Sequence, residues 1–183
     1  MIRPAVASDA EGLVALTRAA ASEPDSQLIG RPGDFSGLAT SLANQRRQIA
    51  RAAASSRHLV LVAEREGVLV GRLSFRAERR ARVAHRGTFS IVVARLERGR
   101  GIGGGMIRAL LAWCAAGGVV RKVSLRVLTS NTRARALYER LGFVIEGTMT
   151  RAVRLDAERW ADELLMSIWV EAQSSRAVDV PGH

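Results

Sequence analysis

The residues best suited to bind an anion lie in Glu97-Arg-Gly-Arg-Gly-Ile-Gly-Gly-Gly105. Before them runs Thr88-Phe-Ser-Ile-Val-Val-Ala94, short and β-branched. After them, Ile102, Met106, Ile107, Leu110, Leu111 and Cys114 recur at helical spacing. This order predicts a strand, a turn and a helix. The first N–H groups of a helix lack partners within it, and the helix dipole adds positive charge there. Glycine brings no Cβ to hold a ligand away from the backbone, and Arg98 and Arg100 offer forked donors. Arg98, Gly99, Arg100, Gly101, Ile102, Gly103 and Gly104 are therefore read as a pyrophosphate cradle.

A Walker loop requires Gly-Lys-Ser/Thr, and the single lysine of the chain is Lys122, so that cradle is excluded. Gly99-Arg-Gly-Ile-Gly-Gly104 fits the dinucleotide fingerprint formally. The acidic residue that should end the next strand is missing from Arg121-Lys-Val-Ser-Leu-Arg-Val127. A third pattern, Arg/Gln-x-x-Gly-x-Gly/Ala, is matched by Arg98 to Gly103. About thirty residues on, Asn131-Thr-Arg-Ala-Arg-Ala-Leu-Tyr-Glu-Arg-Leu-Gly-Phe143 follows the form Asn-x-x-Ala-x-x-Leu-Tyr-x-x-x-Gly-Phe. With these two motifs in this order, the chain resembles the GCN5-related N-acetyltransferase family.

The resemblance implies acetyl-CoA as co-substrate and direct acetyl transfer to a primary amine in a ternary complex, without metal. It implies that the loop amides hold the pyrophosphate and that the preceding strand splays from its neighbour. The backbone of Ile91, Val92 and Val93 would then hold the pantetheine arm, with the Val93 amide polarising the thioester carbonyl. Asn131 would cap a helix and touch the cofactor. Tyr138, the only tyrosine, would give its proton to the departing thiolate, since a phenol of pKa about 10 is protonated at neutral pH. Tyr138 also shares an apolar helix face with Ala134, Leu137 and Leu141, so a core role stays open.

The general base is not fixed. His85-Arg-Gly-Thr-Phe-Ser90, at the start of the fourth strand, has no carboxylate, which leaves His85, Glu146, Asp162, Glu163 or a water relay. The acceptor is equally open among a small amine or amino acid, an antibiotic and a protein N-terminus. The stretch from Phe143 to Met166 resembles the ribosomal-protein and amino-acid acetylating branches of the family. The acids Asp156, Glu158, Asp162 and Glu163 are expected to pair with Arg151, Arg154 and Arg159.

These residues need a scaffold of alternating elements. Met1–Ala5 reads as a strand, and Ser8-Asp-Ala-Glu11 as a capping box opening a helix to about Ala20. Pro24, Gly30, Pro32 and Gly33 make Ala21–Gly37 a loop, and Leu38–Ala54 is helical. The strands His58–Glu64 and Val68–Arg76 flank a Glu66-Gly67 turn. Beyond the fourth strand and its helix, Gly117-Gly118 stops the chain and Lys122–Leu128 forms a fifth strand. A helix from Asn131 to Leu141-Gly142, a strand opening with Phe143–Glu146 and a last strand over Glu163–Val170 complete the order. The fold class is α/β (α+β): one domain over 1–172, a mixed, mostly antiparallel sheet of six to seven strands, and helices on both faces. Residues 173–183 read as a flexible tail.

With 183 residues and 48% hydrophobic content, one full core is available. No apolar run approaches the ~20 residues needed to span a bilayer, and the N-terminus has no signal-peptide order; a cytoplasmic protein without membrane or metal is expected. The single cysteine, Cys114, is read as a buried, inert thiol. A net charge of +11 permits nucleic-acid binding, but an aromatic content of 4% supplies no stacking platform. Three alternatives survive: a non-catalytic acyl-CoA sensor of the same fold, a basic nucleic-acid-binding protein and a nicotinamide or flavin enzyme. Many members of the family dimerise, which leaves a homodimer open.

Overall fold

The computed structural model describes residues 1–23 and 41–172. Most of the predicted Ala21–Gly37 loop, the first residues of the Leu38–Ala54 helix and the tail 173–183 lie outside them. The chain runs β1 (Ile2–Pro4), α1 (Ala10–Ala21), α2 (Leu42–Ala53), β2 (His58–Arg65), β3 (Val68–Ala77), β4 (Arg86–Val93), α3 (Ile102–Gly117), β5 (Lys122–Leu128), α4 (Thr132–Arg140), β6 (Val144–Arg154) and β7 (Trp160–Trp169). The strands form one seven-stranded sheet in the order β1-β2-β3-β4-β5-β7-β6, antiparallel except where β4 meets β5. The six-to-seven-strand expectation resolves to seven.

Alternation along the strands assigns each face its helices. Val60 and Val62 of β2 pack with Ala10 and Leu13 of α1 and Ile49 of α2. Their neighbours Leu59, Leu61 and Ala63 face the other way, into the larger core with Leu73, Phe75, Met106, Ile107 and Leu110. Cys114 is buried in that core, and burial pushes its thiol up to about 12, the inert state expected of it. Phe75 meets Trp113 edge to face at 5.8 Å, fixing α3 against β3.

Local chemistry sets the boundaries. Glu66 and Gly67 both take positive φ, 52° and 78°, as a two-residue hairpin turn of the type that matches strand twist requires. Gly118 ends α3 with φ 64°, and its N–H bonds the Cys114 carbonyl at 3.2 Å. The predicted capping box does not form. Asp9, not Ser8, organises the start of α1: its carboxylate accepts the Val6 N–H at 2.7 Å and a bidentate pair from Arg3 at 2.7 and 2.9 Å. Arg3 also reaches Glu64 at 2.8 Å, so a charged bond outcompetes a hydroxyl cap and ties β1 to β2. Ser41 caps α2, accepting the Asn44 N–H at 3.3 Å. Among the described residues, no helix is long and apolar enough to cross a membrane.

The Arg3 pair holds the Asp9 carboxyl below the ordinary carboxylate range. A lowered folded-state pKa stabilises the fold above the unfolded value, about 4, and that stability is lost as pH falls through the folded value. Asp9→Asn is expected to cost about 1–2 kcal/mol at pH 7. Denaturant titrations should show this difference shrinking below about pH 4; a pH-independent gap would contradict the assignment.

Candidate active site

β4 and β5 pair over only three residues, Arg86↔Lys122, Gly87↔Val123 and Thr88↔Ser124. Both strands continue, β4 to Val93 and β5 to Leu128, without further pairing between them. β4 stays in register with β3 throughout, down to Gly71↔Val93. The separation therefore opens on the β5 side and leaves main-chain polar groups of β4 without a strand partner there. The opening is a cleft of about 1240 Å³, with Phe89 to Val93 on one wall and Leu125, Arg126 and Val127 on the other.

The glycine-arginine loop closes one end. Gly99 and Gly101 have φ of 87° and 81°, a region costly for any residue with a Cβ. Gly101 is the N-cap of α3 and offers no side chain to cap it. The amides of Ile102, Gly103 and Gly104 thus begin the helix without a side-chain acceptor, beside a cleft that all three residues line. This is the electrostatic form of an anion site. The neighbouring cations have different duties. Arg98 donates from Nε to the Val93 carbonyl at 3.0 Å and from Nη2 to Glu23 at 2.7 Å, so it ties loop, strand and α1 end together. Of the predicted cofactor-binding residues only Arg100 does not line the cleft; its guanidinium is exposed, 3.6 Å from Glu97. Arg133, unforeseen in the sequence, supplies the nearer charge, with Nη2 only 3.2 Å from where a Gly99 Cβ would stand.

α4 brings the second motif to the same cleft. Asn131 caps it, its Oδ1 accepting the Ala134 N–H at 3.1 Å, and also lines the cleft. Tyr138 lines the cleft too, while its ring packs at 6.2 Å from Phe89 and 5.9 Å from Phe143. Burial alone pushes its phenol up to about 12, so it holds its proton at neutral pH. Tyr138 is thus buried among core aromatics and is also part of the cleft lining.

The base candidates do not converge. His85 precedes β4 at the end away from the loop, with its ring 6.1 Å from Trp169; six residues of strand put it roughly 20 Å from Ile91. Glu146 pairs with Lys122 at 2.5 Å, at the same far end. Asp162 accepts the Arg151 N–H at 2.7 Å and so holds the irregularity of β6. Glu163 is buried, its Oε2 3.3 Å from Arg126 Nη1. None of the four lines the cleft. The expected partners of Arg151, Arg154 and Arg159 are found in part: Asp156 pairs with Arg159 at 2.5 Å.

The floor of the cleft is what sequence reasoning missed. Register places Arg72 and Ser74 of β3, Thr88 and Ser90 of β4, and Arg126 of β5 on the face carrying α1 and α2. All five line the cleft, with Asn44 and Gln48 of α2 above them. The signal was alternation: Arg72-Leu-Ser74-Phe, Thr88-Phe-Ser90 and Ser124-Leu-Arg126 each read polar-apolar over a buried sheet centre, where both faces should be apolar.

Residues 32–143 match the model of the acetyltransferase (GNAT) family. The chain is 33% identical, over 88 residues, to the L-amino acid N-acetyltransferase AaaT of Escherichia coli (strain K12). That match takes in 48% of this chain and 54% of AaaT, so the chain spans about half the length of the curated relative it matches. A GNAT-family acetyltransferase from Streptococcus pneumoniae superposes with a TM-score of 0.82 at 30% identity, over 93% of this chain and 98% of that one. A ribosomal-protein-alanine N-acetyltransferase from Brucella melitensis gives 0.77 at 26% identity, over 92% and 99%.

The two roles of Tyr138 separate by mutation. Tyr138→Phe keeps the ring contacts and should leave unfolding free energy within about 0.5 kcal/mol of the parent. Tyr138→Ala removes them and should cost about 3–5 kcal/mol. Equal losses in both, measured by chemical denaturation, would mean that the hydroxyl is structural.

Proposed function

The chain belongs to the acetyltransferase (GNAT) family, and we propose that it transfers the acetyl group of acetyl-CoA directly to a primary amine, of a small molecule or amino acid or of a protein N-terminus. The observation that carries this reading is the split between β4 and β5, with a bare helix N-terminus at one end and a protonated phenol on its wall. The residues present suit such a co-substrate. The first amides of α3 and Arg133 provide for the pyrophosphate, and the unpaired edge of β4 at Ile91, Val92 and Val93 for an extended amide-bearing arm. The cleft exceeds the usual 300–1,000 Å³ of a single small-molecule site, which leaves room for an acceptor beside it.

In the reaction the amine nitrogen bonds to the thioester carbonyl carbon and the carbon–sulfur bond breaks. The departing sulfur takes the proton held at Tyr138 Oη. Burial raises the phenol to about 12, so it stays protonated at neutral pH and is available to the thiolate as it forms. The acceptor must also lose a proton. The described carboxylates lining the cleft are engaged: Glu23 by Arg98, and Glu97 by Arg65 at 3.0 Å and by Arg100. The acceptor proton is therefore assigned to water held by the hydroxyls of Thr88 and Ser90. AaaT, named as an L-amino acid N-acetyltransferase, favours the small-molecule side of the acceptor range.

Tyr138→Phe is expected to lower kcat by about 10²–10⁴-fold with acetyl-CoA affinity unchanged. Gly103→Glu sets a carboxylate against the bare amides and should weaken acetyl-CoA binding at least about tenfold. Full turnover in the first or full affinity in the second would contradict the roles. Among the described residues no histidine or free carboxylate lines the cleft, so kcat/KM should climb with deprotonation of the acceptor amine and show no break between about pH 6 and 7. A plateau beginning there would reveal a side-chain base.

A further inference from the structure

Arg72 is an anomaly in the sheet. It sits in the middle of β3, between Val62 of β2 and Val92 of β4, where a side chain is expected to be apolar. Its Nη2 donates to Gln48 Oε1 at 2.7 Å. Its Nε is buried and has no hydrogen-bond partner among the described residues, and neither has the buried hydroxyl of its neighbour Ser74. No described carboxylate pairs with Arg72, whereas Arg98 and Arg126, which also line the cleft, pair with Glu23 and Glu163. Burial depresses its pKa, since the charge has lost its water. A half-buried guanidinium with no described counter-charge and a buried, unpartnered Nε costs stability. An anion arriving in the cleft would remove that cost, accepting from Nε of Arg72 and from the Ser74 hydroxyl while Gln48 keeps the guanidinium in place.

Building on the acetyl-transfer reading, we infer that Arg72 and Ser74 form a carboxylate-binding subsite, so that the acceptor is a primary amine bearing its own carboxylate, of the free amino acid class. A bare alkylamine or polyamine brings only an ammonium group, which Arg72 repels. A protein N-terminus offers a neutral amide where a free amino acid has its carboxylate. The amine itself needs no acidic wall in the cleft: the acceptor's carboxylate neutralises the arginine, and the amine is left to lose its proton near the Thr88 and Ser90 hydroxyls, which line the same floor one strand nearer the split.

The test compares common L-amino acids with their α-amides, acetyl-CoA being the donor. The wild-type protein should favour the acid over the matching amide by about 100-fold in kcat/KM, chiefly through KM, because only the acid meets the charged donor. Arg72→Gln should collapse this ratio to within a few-fold by weakening the acid alone, whereas Arg72→Lys, which keeps the charge, should restore part of it. Amides accepted as readily as acids, or equal losses for both in Arg72→Gln, would overturn the subsite while leaving acetyl transfer standing. Absence of turnover with every amine would instead contradict the transfer reading. The subsite is then decided by calorimetric titration of the protein in coenzyme A with the same pairs. Acid-selective binding that Arg72→Gln abolishes supports it, and binding blind to the carboxylate removes it.

Discussion

The site depends on a pairing that stops. β4 and β5 run parallel and bond over three residues, then part after Thr88 and Ser124. A sheet normally closes every main-chain donor and acceptor on its interior strands. Here the interior edge of β4 is left open over the length that reaches the glycine loop. Because β4 keeps its register with β3 to Val93, the opening is rigid on one side. The arrangement of β5, β7 and β6 on the other side sets its width, and α4, rising from the end of β5, lays Tyr138 against the gap. The cradle, the phenol and the polar floor are all attached to the two lips of this one split.

Charge in this protein is distributed more carefully than its total suggests. Several arginines are spent on ties: Arg3 on Asp9 and Glu64, Arg98 on Glu23 and Val93, Arg135 on Glu139. Exposed ties of this kind contribute little stability each, but around the cleft they consume the carboxylates. Glu23 and Glu97 are thereby unavailable as free bases, and positive potential is left where an anionic co-substrate would lie. Arg72 differs in position: it rises half-buried from the sheet floor, without a carboxylate partner among the described residues.

The order of elements was legible because it rests on local chemistry. The Glu66-Gly67 turn, the Gly117-Gly118 stop, the Asn131 cap and the β5 boundaries follow from residue types a few positions apart. Where long-range bonds compete, the sequence misleads. Ser8 and Glu11 have the form of a capping box, yet Arg3, held by Glu64 from a distant strand, draws Asp9 into that role. The cradle glycines were recognisable, but the division of labour among Arg98, Arg100 and Arg133 depends on which carboxylates lie across the gap. His85 and Glu146 became base candidates by residue type alone, and strand direction carries both to the far end of β4; Glu163 shares a face with the cleft-lining Arg126 and Leu165 but is buried against Arg126. Arg72 and Ser74 alternate visibly with Leu73 and Phe75, but the alternation has meaning only once β3 is known to be an interior strand.

The most direct test of the whole account is isothermal titration of the protein with acetyl-CoA, set beside NADH and ATP. The account predicts a dissociation constant on the order of micromolar for acetyl-CoA and no saturable binding of the other two, because the open edge of β4 fits an amide-bearing arm that neither nucleotide carries. Binding of NADH or ATP with equal strength, or no binding of acetyl-CoA, would contradict it: the split sheet would then serve some other anion.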